Sequence, residues 1–284
     1  MNGIILINKS QNKTSRQVVN EVGKKLKTKK VGHTGTLDPI ATGVLVLTIN
    51  KATKISELLV AYDKEYIAEV ILGIETDTLD ITGKVLKEQN IKLKKDKIEK
   101  VLKEMIGIYN QEVPAYSAVK IKGKKLYEYA REGKKIELPK RQVEIKELKL
   151  ISDINYVNNK TIFKIKCLVS KGTYIRSLIR DIAQKLDTVG IMKNLIRTKQ
   201  GKFNLKDCIT IDQVSLDKII PIEECLKDFY TVNVEEELFN KIKCGQVIEN
   251  IYNQNQVVFK YKNKVISIYK KYDVNKLKPW KMLI

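Results

Sequence analysis

The stretch Val31-Gly32-His33-Thr34-Gly35-Thr36-Leu37-Asp38-Pro39-Ile40-Ala41-Thr42-Gly43 concentrates residues that could do chemistry. Its one carboxylate, Asp38, stands directly before a proline. Pro39 has a fixed φ and biases Asp38 away from the helical region. Gly32, Gly35 and Gly43 permit backbone shapes and close approaches that a side chain would block. The carboxylate is therefore expected on a stiff, extended corner between flexible points. Held there it could serve as a nucleophile. An Asp-Pro pair can equally well cap a turn, so these two residues alone do not decide. His33 is the only histidine of the chain and could pass for a general base or a ligand. Four cysteines, Cys167, Cys208, Cys225 and Cys244, are scattered without a C-x-x-C pair. That pattern argues against a zinc site and fits a reducing cytosol.

The elements that must position these residues alternate between strands and helices. Gly3 to Asn8 reads as a short apolar strand. It is not expected to be a signal peptide, because no basic region precedes it and the apolar run is too short. Thr14 and Gln17 have capping-box spacing, and Val18, Val19, Val22 and Leu26 recur on one helical face. A helix is expected from Thr14 to Leu26. A glycine-containing loop then runs from Val31 to Gly43, followed by a buried strand over Val44 to Ile49. Ala52 to Tyr62 reads as a helix, Lys64 to Leu72 as a strand, Gly73 to Gly83 as a polar loop and Lys84 to Lys87 as a strand. Lys94 to Met105 has Ile98, Val101, Leu102 and Met105 on one helical side, with its lysines on the solvated face. Val143, Ile145, Leu148 and Leu150 mark a strand with imperfect alternation, and Thr161 to Ser170 alternates well, with Phe163, Ile165, Cys167 and Val169 on one face. Tyr174 to Leu186 reads as an amphipathic helix. From Thr231 on, short strands are expected at Gln246 to Ile251, Gln256 to Lys260 and Val265 to Lys270. The pattern implies a mixed α/β sheet rather than a strict βαβ repeat. Two units are expected, residues 1–228 and 229–284.

Composition narrows the partner. The chain has 284 residues, 43% hydrophobic and 31% charged, as a soluble globular protein does. Lysine plus arginine number 54 against 33 acidic residues, a formal charge of +21. Such an excess draws polyanions, nucleic acid first, although a coat selected for solubility gives the same sum. No apolar run approaches a membrane span. Walker A and dinucleotide fingerprints are both lacking.

The loop as a whole carries more than its parts. Gly-His-Thr-Gly-Thr-Leu-Asp-Pro followed by Ala-Thr-Gly-Val-Leu (residues 32–45) closely resembles the signature of the bacterial tRNA pseudouridine-55 synthases, the TruB-type family. Further blocks agree in the same order over about the first 210 residues. Asp63-Lys64-Glu65-Tyr66 resembles D-K-x-Y, and Thr76-Asp77-Thr78-Leu79-Asp80 resembles T-D-T-x-D. Residues 111–120 resemble Q-x-P-P-x-Y-S-A-x-K, residues 171–178 match K-G-T-Y-I-R-[ST]-[LI], and Leu195-Ile196-Arg197-Thr198 with Gly201 and Phe203 resembles the last motif. The family opening D-K-P-x-G-x-[TS]-S is altered. Ser10 and Asn12 replace its proline and glycine, so a looser loop with a small rate or stability defect is expected.

The resemblance implies a pseudouridine-synthase fold. It has a large mixed, mostly antiparallel sheet flanked by helices, plus a small β-rich C-terminal unit that only weakly resembles a PUA domain. It implies isomerisation of a flipped-out uridine at position 55 of the tRNA T loop. Protein alone would act, without metal or cofactor, as a cytoplasmic monomer. By residue, it makes Asp38 the nucleophile, Arg176 its partner and Asp80 an acid that helps hold the arginine. Tyr66 would stack on the uracil and take the proton from C5. Leu195 would line the pocket, and His33 would stack into the space the base leaves. Lys9 and Tyr174, inside the matching blocks, join the substrate-binding set. The lysines of 24–30 and 120–125 become candidate phosphate contacts. A non-catalytic tRNA-binding or tRNA-folding protein and an RNA-guided synthase share the scaffold. The trio of Asp38, Tyr66 and Arg176 speaks against the first, and the Ala-Thr-Gly-Val-Leu continuation against the second.

Overall fold

A computed structural model describes residues 1–134 and 136–284. From the N-terminus the chain runs through β1 (Gly3–Lys9), α1 (Ser15–Lys25), β2 (Val31–His33) and β3 (Thr42–Ile49). A 3₁₀ turn (Asn50–Ile55) continues into α2 (Ser56–Val60), then β4 (Lys64–Leu72) and the hairpin of β5 (Ile74–Thr76) and β6 (Val85–Glu88). Next come α3 (Lys95–Glu104), β7 (Gly107–Glu112), the hairpin of β8 (Lys120–Ile121) and β9 (Lys124–Lys125), and α4 (Leu126–Arg131). β10 (Lys140–Leu150), β11 (Asn155–Val157), β12 (Lys160–Val169), α5 (Ile175–Lys185) and β13 (Gly190–Gln200) complete the main body. The short pieces β14 (Phe203–Asn204), β15 (Ile220–Pro221) and α6 (Ile222–Cys225) lead to the C-terminal part. That part holds β16 (Thr231–Asn233), α7 (Glu236–Lys243), β17 (Ile248–Glu249), β18 (Gln256–Tyr261), β19 (Lys264–Asp273) and β20 (Lys276–Met282).

Among the described residues the main sheet has 11 strands, in the order β15-β1-β3-β13-β4-β12-β10-β7, with β2, β11 and β14 paired alongside. The strands pair antiparallel except β3 with β13, which run parallel. This is the expected mixed, mostly antiparallel sheet. β1 and β3 read as unbroken apolar runs because both of their faces are covered. Ile5, Ile7, Leu45 and Leu47 point into one core with Val18 and Val22 of α1 and Leu178 and Ile182 of α5. Ile4, Leu6, Val44 and Val46 point into a second core with Val258, Val265 and Ile268 of the C-terminal sheet. The five-stranded C-terminal sheet, ordered β16-β18-β19-β20-β17, thus packs on the second face of β1 and β3. β4 and β12 alternate buried and half-covered residues, as half-covered strands do.

Four expectations need correction. The helix expected over residues 52–62 is a 3₁₀ turn followed by a single α-turn ending at Val60. Lys64 Nζ donates to the carbonyls of Val60 and Tyr62, closing that end. The loop around His33 begins as a strand, because Val31–His33 pairs with Leu47–Ile49. β13 was not anticipated at all, although it is the strand between β3 and β4. Bulges between Met192 and Asn194 and between Arg197 and Lys199 break its alternation, so no period of two is visible. Last, the C-terminal part is not strands alone. Glu236–Lys243 forms a helix whose Leu238, Phe239 and Ile242 pack on that sheet. Among the described residues, no helix is long and apolar enough to cross a membrane.

The capping box of α1 is formed. Gln17 N–H donates to Thr14 Oγ1 at 3.1 Å, and Thr14 N–H donates to Gln17 Oε1 at 2.7 Å. Thr14→Ala should therefore lower unfolding stability by about 1 kcal/mol in urea titration. An unchanged midpoint would show that the cap contributes nothing.

Candidate active site

α5 carries Arg176 in its first turn, and the loop between β2 and β3 carries Asp38. The two side chains meet in a fork. Arg176 Nε lies 2.9 Å from Asp38 Oδ2, and Arg176 Nη2 donates to Oδ1 at 3.2 Å. The guanidinium is otherwise enclosed: Nη1 donates to Thr78 O at 2.9 Å and Nη2 to Tyr116 O at 3.0 Å. Arg176 is 6% exposed, whereas the Asp38 side chain keeps 33%. The arginine is thus buried and satisfied on the protein side, and the carboxylate remains open to a reactant. A bidentate, charge-assisted pair fixes the carboxylate in both position and plane.

The backbone around Asp38 is pinned from several sides. Ala41 N–H donates to Asp38 O, forming the turn over Pro39. Ser15, buried at the head of α1, accepts from Leu37 N–H at 2.9 Å and donates to Leu37 O at 3.1 Å. Pro39 O accepts from Asn12 N–H at 2.8 Å and from Lys9 Nζ at 3.2 Å. Lys9 has no exposed surface, and its ammonium also donates to Ser10 O and Lys13 O. Burial pushes this amine down to about 8, against the pull of Asp38. Asn12, standing where the family pattern has glycine, takes φ +64°. Asparagine is among the side chains that tolerate this left-handed region best.

The other expected residues fall into two groups. Tyr66 of β4 is 7% exposed and Leu195 of β13 is 5% exposed; both join the apolar cluster that contains Leu37 and Ile40 on either side of Asp38. Burial raises the Tyr66 phenol, opposed by the cation of Arg197 across the strand pair. Tyr174 stands at the N-cap of α5, with its backbone clamped by Gln111, which accepts from Tyr174 N–H at 2.7 Å and donates to Tyr174 O at 3.1 Å. Asp80 does not touch Arg176. Its carboxylate accepts from Thr78 Oγ1, Thr82 N–H and Thr82 Oγ1, and so holds the turn whose Thr78 carbonyl receives the arginine. His33 lies at the end of β2, partly covered, its Nδ1 facing Gly35 N–H at 3.4 Å. Burial, with Arg16 and Arg197 nearby, lowers its pKa, so the imidazole is neutral at pH 7.

One buried residue went without a role in the sequence. Arg197 of β13 is 1% exposed, and its guanidinium donates to Val44 O at 2.6 Å and Gly35 O at 3.1 Å. A lone arginine in a Leu-Ile-Arg-Thr run reads as surface, and only the final motif hinted otherwise. A cleft of about 520 Å³, lined by Tyr109, Glu112, Lys140, Arg180 and Asp181 among others, opens beside α5 one turn past Arg176. It includes neither Asp38 nor Tyr66. Among the described residues, no group of three or more His, Cys, Asp or Glu side chains could hold a metal ion.

With a paired carboxylate, a buried tyrosine and a neutral histidine placed around one loop, the comparisons with known proteins become informative. Residues 23–175 match the model for the N-terminal domain of the TruB family pseudouridylate synthases. The chain belongs to this family. It is 48% identical to the tRNA pseudouridine synthase B of Caldicellulosiruptor saccharolyticus over 86% of this chain and 83% of that protein. It is 38% identical to the protein of that name from Bacillus pumilus over 100% and 98%, and 39% to that of Staphylococcus aureus over 94% and 90%. Among solved structures, a chain of a Cbf5-Nop10-Gar1 complex superposes with TM-score 0.71 at 23% identity, covering 99% of this chain and 85% of that one. A chain of an H/ACA RNP bound to a substrate RNA containing 2'-deoxyuridine gives TM-score 0.70 at 21% identity over 99% and 85%. These last two likenesses establish the fold.

Because His33 is the sole histidine, one imidazole resonance should titrate in proton NMR. Its midpoint is expected below the ordinary histidine value of 6.5. A midpoint at or above that value would mean that the ring is not held in the covered position described.

Proposed function

We propose that this enzyme converts uridine to pseudouridine at position 55 in the T loop of tRNA. It acts as a cytoplasmic, protein-only monomer and needs no cofactor. The observation that carries the reading is the forked Arg176–Asp38 pair, with the arginine buried and the carboxylate open. Relatives 38–48% identical over most of their length, each named tRNA pseudouridine synthase B, support tRNA as the substrate.

The reaction breaks the bond from uracil N1 to ribose C1′ and makes a bond from C5 to the same carbon. One proton leaves C5 and one is taken up at N1, so neither electrons nor atoms are gained. A uridine within a folded loop is out of reach of a carboxylate, so it must be flipped out, at a cost of a few kcal/mol. Tyr66 stacks on the extruded base, a contact typically contributing about 1–3 kcal/mol. His33, neutral and partly covered, fills the gap it leaves. Asp38, aimed by Arg176, attacks either C1′ or C6 and holds the fragment while the base turns. Leu195 and Tyr174 bound the base. Lys9 and Asp80 act through the loop and the turn that they hold. Residues 229–284 form a second unit that binds RNA through its basic strands, in the manner of a PUA domain.

Asp38→Asn should abolish pseudouridine formation in a T-arm RNA, mapped by mass spectrometry, while RNA affinity persists. Normal turnover by this variant would remove Asp38 from the chemistry. Alanine substitution of the lysines at 24–30 or 120–125 should flatten the salt dependence of binding, the log–log slope falling by roughly 0.7–0.9 for every phosphate no longer neutralised. An unchanged slope would place those lysines away from RNA.

A further inference from the structure

The reacting groups sit on two different elements, the loop between β2 and β3 for Asp38 and the strand β4 for Tyr66. Something must keep the two in register. Arg197 is built into the seam between them. Its backbone lies beside Gly43 in the parallel pairing of β3 with β13, and beside Tyr66 in the antiparallel pairing of β4 with β13. The approach to Gly43 is so close that a Cβ there would lie 2.3 Å from the Arg197 carbonyl oxygen, and Gly43 has φ +101°. The side chain then reaches back under the loop. Nε donates to Val44 O at 2.6 Å, just past the loop's exit, and Nη2 donates to Gly35 O at 3.1 Å, at its entry. Nη1 occupies the space beside Gly35, 3.3 Å from where a side chain would begin. One guanidinium therefore bridges both stems of the segment that carries Asp38. Gln200, on the same strand, supports the entry by donating to the carbonyl and hydroxyl of Thr34.

We propose that Arg197 is a positioning residue for the isomerisation, fixing the separation of the two stems of the Asp38 loop against the strand that bears Tyr66. The proposal rests on the reading of Asp38 as nucleophile. A planar fork with donors at fixed angles can satisfy two carbonyls at once, whereas an ammonium is a compact charge at one point. Charge alone is therefore not enough. Burial of the cation is tolerated because both carbonyls are aimed at it, and leaving them unpaired would loosen the loop rather than the RNA-binding surface.

The test compares Arg197→Lys and Arg197→Met with the parent in single-turnover conversion of a T-arm RNA. Rates are expressed per folded molecule, the folded fraction being read by circular dichroism. Both variants should lose about 100-fold in rate, the scale of an ångström-sized misplacement, while RNA affinity stays unchanged. A normal rate per folded molecule in Arg197→Lys overturns the proposal, because charge without the fork would then suffice. Loss confined to RNA affinity, or failure of both variants to fold, also overturns it, by assigning Arg197 to binding or to stability. Asp38→Asn is run alongside. If it turns over normally, the nucleophile reading itself has failed; if it is dead while the Arg197 variants are fast, only the role given to Arg197 has.

Discussion

A single ion pair organises this protein. Arg176 is nearly excluded from water, yet each of its three guanidinium nitrogens has a partner, with two contacts to the Asp38 carboxylate and one each to the carbonyls of Thr78 and Tyr116. Withdrawing such a cation from water is unfavourable unless its partners are placed in advance. Three separate chain segments supply those partners: the Asp38 loop, the turn after β5 and the segment after β7. The tertiary fold brings these three to the first turn of α5.

The asymmetry of the pair matters as much as its strength. The arginine is surrounded on the protein side, while the carboxylate keeps about a third of its surface. The loop backbone is held from beneath, mostly by side chains. Ser15 holds Leu37, Lys9 and Asn12 hold Pro39, and Arg197 holds the two stems. Several cations are buried there with carbonyl oxygens as partners, and Lys9 and Lys64 are pushed down to about 8 by that burial. A carboxylate set above such a group of donors lies in a positive field before any RNA arrives.

The C-terminal sheet extends the same logic to stability. It covers the second face of β1 and β3, the strand pair into which the Asp38 loop exits, through Val258, Val265 and Ile268. The loop is consequently anchored in a sheet buried on both faces. That is a better foundation for ångström-scale placement than a half-exposed edge.

Local chemistry was legible in the chain itself. The Asp-Pro corner, the Thr14–Gln17 cap, the alternation of β12 and the apolar runs of β1 and β3 all depend on residues close in sequence. Their physics is complete within a few positions. What the sequence left undetermined depends on distant partners. β13 is hidden by its own bulges, and Arg197 looks like an ordinary exposed cation until β3 is laid beside it. Asp80 reaches Arg176 only through Thr78, and Lys9 proves to be an internal donor rather than a surface charge. A buried cation and a solvated one have the same letter in a sequence. Only the tertiary structure shows which carbonyls surround it, because those acceptors come from segments separated by up to 162 residues, as Arg197 and Gly35 are.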